Sequence, residues 1–298
     1  MTAGGVPLTR RSLVIGSVGL LLVGCSPEAP ADVRPRPATS TPAPFATPEP
    51  EPTPEPDPVL ETPPQPDVEA VIAAHEGLAP TQWGMHFPGV VGTGVDAGSA
   101  QPGAVHLTLD ACGGPTGSGY DAALIDGLVQ AGIPATLFLN LRWITANPDL
   151  AAQLAANPLF SIQNHGALHR PLSVTGAAAY GIAGTASARE AAYEVWENHL
   201  AIENLAGVAP RWFRPGTAHL DDVGLSIAAS LGEGIAGFAV NGDGGATLPA
   251  AAVTGELLRC AGGEIVIAHM NQPGSGTAAG ILQAIPQLQA RGLAFAAL

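Results

Sequence analysis

Lysine is absent from all 298 residues. Without an ε-amine the chain has neither a Schiff-base nucleophile nor the lysine of a phosphate-binding loop, which removes two broad classes of chemistry. All 11 basic side chains are arginines, set against 25 acidic ones, for a formal net charge of −14. Phosphate backbones require a basic footprint, so this balance excludes nucleic acid as a partner. Cysteine is scarce as well: three residues cannot build a disulfide framework. No repeat of 20–50 residues is present, which excludes a solenoid.

What the chain does have begins with a signal. Arg10 and Arg11 supply a positive segment resembling a twin-arginine signal, and Leu13 to Val23 supplies an apolar run. That run is shorter than the roughly 20 residues a membrane-spanning helix needs. It ends at Leu22-Val23-Gly24-Cys25, which resembles a bacterial lipobox, so Cys25 is the expected lipidation site. Residues 26–67 then hold 15 of the 29 prolines. Proline fixes φ and lacks an N–H, so a disordered, extended linker is expected there. At ~3.1 Å per residue it would reach on the order of 120 Å. The chain is thus expected outside the cytoplasm as a monomeric lipoprotein, touching the membrane through its lipid only.

Residues 68–298 carry 17 acidic residues and 7 arginines and suffice for one large core. Residues 68–103, with Trp83, His86 and Phe87, form an extension expected to flank or plug the domain or to add to a substrate groove. Over residues 104–298, short apolar runs alternate with helical stretches. Strands are expected at 104–109, 135–139, 159–163, 212–214, 235–240, 264–268 and 293–297. Helices are expected at 120–131, 148–156, 187–205, 221–231, 250–260 and 277–291. This alternation predicts parallel strands joined by crossover helices, in a barrel or an open doubly wound sheet.

Polar residues gather at the strand ends: Asp110, Asn164 and His165, Arg214, Asn241 and Asp243, and His269. Parallel α/β folds bring those ends to one face, so a single convergent site is expected. His165 and His169 lie four apart, a spacing that one helical turn would place on one face for a shared metal ion. Asp110 reads as a base, a ligand or the cap of a glycine turn; His269 reads as a general acid or a half-buried strand-end imidazole. Arg214 and Asp243 either orient these groups or form a structural ion pair. Cys112 and Cys260 read as buried thiols, Cys112 also as a candidate soft ligand.

The segments Leu107–Gly114, Asn164–Pro171, Arg214-Pro215-Gly216, Val240–Gly244 and Ile265–Asn271 resemble the five ordered motifs of the polysaccharide deacetylases, the NodB-homology group. The resemblance implies a distorted (β/α) barrel of about seven parallel strands and removal of N- or O-acetyl groups from an extracellular glycan. It further implies a divalent metal, zinc in the first instance, on His165 and His169, with Asp110 a candidate third ligand. Asp110 would be the base held by Arg214, and His269 the acid oriented by Asp243. One residue departs from the pattern: the family's second aspartate, a metal ligand, is Ala111 here. That departure keeps two other readings open, a metal-independent hydrolase of another amide or ester and a non-catalytic glycan-binding domain. His219, shortly after Arg214, is a further polar residue within reach of the site.

Overall fold

The computed structural model describes residues 65–298, so the signal, Cys25 and nearly all of the proline-rich linker lie outside the described residues. Helix α1 (Val68–His75), capped by Asp67, leads to short strands β1 (Trp83–Gly84) and β2 (Val90–Val91). Next come β3 (His106–Ala111), α2 (Ala122–Ala131), β4 (Ala135–Leu139), α3 (Leu141–Ala146), α4 (Pro148–Ala155) and β5 (Phe160–Asn164). The chain continues through α5 (Ala188–Ala206), β6 (Trp212–Phe213), β7 (Leu220–Asp221), α6 (Asp222–Ser230) and β8 (Gly234–Ala236). It ends with β9 (Val240–Asn241), α7 (Ala250–Leu257), β10 (Ile265–His269) and α8 (Thr277–Ala290).

Eight strands form one parallel sheet in the order β2-β8-β6-β5-β4-β3-β10-β9, curled into a distorted (β/α) barrel. Seven of them come from residues 104–298, the number expected, with one expected strand missing and another split in two. The eighth, β2, comes from the extension, which therefore completes the sheet: Val90 and Val91 pair with Ile235 and Ala236 of β8. Just beyond β2, Gly92 and Gly94 hydrogen-bond to Ile265 and Gly263, reaching the amino end of β10.

Strand alternation sorts the side chains. In β3, Leu107, Leu109 and Ala111 belong to the apolar layer shared with the helices, whereas His106, Thr108 and Asp110 are buried polar residues on the other face. Leu107, Leu109, Leu137 and Leu139 are fully buried, each stabilising by roughly 1.5–3 kcal/mol of transfer free energy.

Three expectations change. Residues 293–297 form only an isolated bridge, Val105 to Phe295. The run 235–240 breaks into β8 and β9 because its halves serve different neighbours, β2 and β6 against β10. Finally, no helical turn carries His165 and His169, as the site explains.

Candidate active site

Asp110, next to last in β3, lies beside His269, the last residue of β10, and the two are register partners. Both line a cavity of about 470 Å³ with Cys112, His165 and His169. Arg214 and Asp243 lie behind them, fully buried. The strand-end residues thus do converge on one face, as parallel topology requires.

Arg214 holds Asp110. Its Nη1 donates to Asp110 Oδ1 at 2.8 Å and to Thr108 Oγ1 at 2.7 Å, while Nε and Nη2 donate to the Ala236 and Gly237 carbonyls. The guanidinium also lies 4.2 Å from the centre of the Phe138 ring. Burial pushes the Asp110 carboxyl up, but the Arg214 charge and then those of His165 and His269 outweigh it, so the group is held below the usual carboxylate range. It is an anion at neutral pH.

Asp243 holds His269. Its Oδ1 faces His269 Nδ1 at 3.0 Å and accepts from Gly245 N; its Oδ2 accepts from His269 N and Thr277 Oγ1. The imidazole is thereby fixed with Nδ1 turned back to the carboxylate. Burial opposes protonation of His269, but the hydrogen bond to Asp243 and the nearby Cys112 dominate and raise its pKa well above the ordinary value.

The two metal-type histidines are joined by a loop. Gly166 has φ +79 and His169 φ +59, a left-handed conformation that favours glycine and is strained for histidine. Buried Glu194 on α5 clamps this loop by accepting from Leu168 N and Arg170 N. A Cβ at Gly166 would lie 2.4 Å from Glu194 Oε1, so the clamp itself requires glycine there. On the other side Gly216 packs against the His169 carbonyl, where a Cβ would approach to 2.3 Å. The loop sets the His165 and His169 rings 4.8 Å apart, edge to face. His165 Nδ1 donates to the Arg214 carbonyl at 2.8 Å, which leaves the Nε2 lone pair facing the cavity.

Cys112 follows β3 by one residue and so continues the Asp110 face rather than the Ala111 face. Its Sγ lies 3.7 Å from His165 Nε2. Burial pushes the Cys112 thiol up, yet hydrogen bonds to His165, His169 and His269 prevail and bring its pKa well below the usual thiol value. Cys260 is also free but sits in the apolar core, where burial pushes it to about 12. Ligand atoms of Cys112, His165 and His169 lie within 4.8 Å of one another. Asp110 Oδ2 is 3.7 Å from His165 Nε2. This donor set suits a divalent ion with nitrogen and sulfur preference.

Glu194 and Cys112 are the residues that sequence reasoning passed over or discounted. His219 stops at the rim: its Nδ1 donates to the Thr217 carbonyl, and its ring meets Trp83 at 5.9 Å and Tyr180 at 5.3 Å.

A parallel α/β barrel with these groups at its strand ends defines the class of barrel proteins that build their sites on the carboxyl face. Residues 97–234 match the family model described as polysaccharide deacetylase. A family 4 carbohydrate esterase from Streptomyces lividans, solved with acetate, is similar at 26% identity and TM-score 0.53, over 66% of this chain and 93% of that one. A family 4 pseudoenzyme from Bacillus anthracis matches at 21% identity and TM-score 0.55, over 67% of this chain. A mutant of it with restored enzymatic activity matches at 22% and 0.56. This chain spans 64% and 66% of the length of those two. No curated protein sequence matches the chain significantly.

Proposed function

We propose that this chain is an extracytoplasmic hydrolase, anchored through Cys25, that removes N- or O-linked acetyl groups from a cell-envelope or extracellular glycan. One observation carries the reading. Asp110 and His269 are register partners on adjacent strands, each with its own buried counter-charge, and they share one cavity with two histidines. An anionic base and a cationic acid side by side meet the demand of acyl transfer, which takes a proton from water and returns one to the leaving group.

His165 and His169 would hold a divalent ion, which when bound supplies Lewis acidity and an activated water. Asp110 accepts the proton of the attacking water, and Arg214 keeps that carboxylate anionic and aimed. His269 donates to the departing amine or alcohol, with Asp243 holding the ring and stabilising its charge. Tyr180, 78% exposed, and Trp83, 40% exposed, flank His219 at the rim, where aromatic faces can stack on sugar rings.

The test is acetate release from acetylated chitooligosaccharide, peptidoglycan and acetyl-xylan. Turnover is expected to stop with chelator, return with zinc or cobalt, and vanish in Asp110→Asn and His269→Ala. Glycan binding with no release from any of the three would refute the reading. A second reading, metal-independent hydrolysis of another amide or ester, is favoured by the Cys112 thiol among three histidines. Its signature is chelator-insensitive turnover lost on thiol alkylation.

A further inference from the structure

We propose that Cys112 is the third protein ligand of a His₂Cys metal centre with His165 and His169, built for zinc or cobalt rather than magnesium, calcium or manganese. The proposal rests on the metal-assisted reading of the site and names the ligand that Ala111 cannot supply.

Four observations converge on it. Alternation turns Ala111 into the apolar layer, where it is fully buried, and places Cys112 on the cavity side. In this chain the side chain at 112, not 111, therefore faces the cavity. Second, the spacing fits. With Zn–S near 2.3 Å and Zn–N near 2.05 Å, a tetrahedral centre sets sulfur and nitrogen about 3.6 Å apart. Cys112 Sγ and His165 Nε2 are 3.7 Å apart. The third ligand atom, on His169, lies within 4.8 Å of the others, and that ring is only partly buried.

Third, the nearby carboxylates fit less well: Asp110 keeps only Oδ2 for the site, 3.7 Å from His165 Nε2, and stands outside the group of ligand atoms that all lie within 4.8 Å of one another. Asp110 Oδ1 is taken by Arg214, and both oxygens of Glu194 accept from the backbone of the loop. Fourth, His165 has the outer-shell partner that ligating histidines use: Nδ1–H on a backbone carbonyl, which points the Nε2 lone pair at the sulfur. Three protein ligands facing a cavity leave a fourth position for water or substrate, the arrangement of catalytic zinc sites. Thiolate softness, which hard cations do not reward, sets the selectivity.

The experiment loads the chelator-stripped full chain with Co²⁺ and, separately, with Zn²⁺. One equivalent of cobalt is expected to give a thiolate-to-cobalt charge-transfer band in the near ultraviolet. X-ray absorption of the zinc form is expected to show one sulfur at about 2.3 Å with nitrogen ligands near 2.0–2.1 Å. Cys112→Ser is expected to abolish the band and weaken zinc binding at least tenfold, while Cys260→Ser keeps both. Cys112→Asp is expected to lower the preference for Zn²⁺ over Mn²⁺ at least tenfold. The wild-type absorption measurement needs no variant, so misfolding of a mutant cannot mask the answer. A nitrogen/oxygen-only shell, an unchanged cobalt band in Cys112→Ser, or no metal uptake by the wild type would each overturn the proposal. Sulfur ligation without acetate release leaves the centre standing and sinks the deacetylase reading; acetate release with a sulfur-free shell does the reverse.

Discussion

Arg214→Met tests how the base is held. The native guanidinium is fully buried and donates to Asp110, Thr108 and the carbonyls of Ala236 and Gly237. Methionine fills much of the volume but leaves a carboxylate buried without its counter-charge. Breaking one side of a buried pair costs about 3–5 kcal/mol, and the orphaned carbonyls add to it unless water enters. For a domain of this size each kcal/mol lowers Tm by roughly 2–4 °C, so a drop on the order of 10 °C is expected. Asp110→Asn removes the charge instead. If the attraction between the two groups dominates, the Asp110→Asn/Arg214→Met double variant will be more stable than Arg214→Met alone. A cycle of the four proteins by urea unfolding should then give a coupling of about 2–4 kcal/mol. A loss below about 1 kcal/mol for Arg214→Met, or a double variant no more stable than that single, would show that the pair is not what holds this end of the barrel.

Three further outcomes follow from the geometry. Asp243→Asn, which leaves the His269 ring in place but removes the anion behind it, should lower acetate release on the order of 10²–10⁴-fold with bound metal unchanged, as read by kcat and metal analysis. Burial pushes Glu194 up to about 7 from 4.5. The folded state therefore holds that proton more tightly than the unfolded chain, and stability is full below about pH 4.5 and lost as pH rises to about 7. The loss is about 3 kcal/mol for this group, and Glu194→Gln should flatten the unfolding free energy across that window. Tyr180→Ala should raise KM for an acetylated oligosaccharide about 3- to 10-fold with kcat little changed, the scale of one aromatic contact; an unchanged KM would remove Tyr180 from the substrate path.

Much of the barrel was legible because parallel strands buried on both faces read as continuous apolar runs. Ala135–Leu139 was found to the residue. The strand-end polar residues were equally visible, since nothing apolar competes with them there. The parity of one strand end was missed. Counting alternately from Leu107 puts Ala111 with the leucines and Cys112 with Asp110, so the missing aspartate and the available thiol were two halves of one signal. The helical geometry assigned to the histidine pair failed for a different reason. Gly166 and left-handed His169 obey the Glu194 clamp and Gly216, which lie 25 or more residues away in sequence. Short strands such as Val90–Val91 carry no period at all and emerge only from their partner in β8.

That last strand bears on how the domain can be cut. The family match begins at residue 97, after Val91, and stops at residue 234, before His269. A fragment trimmed to the match would lose the acid and most of β8, and one running from residue 97 to the C-terminus would bare the N–H and C=O groups of β8 that Val90 and Val91 now cover. An uncovered parallel edge invites pairing with another copy. The modest two-residue strand thus acts as a seam against aggregation, and an expression fragment that begins before α1 should remain dispersed where one beginning at residue 97 precipitates.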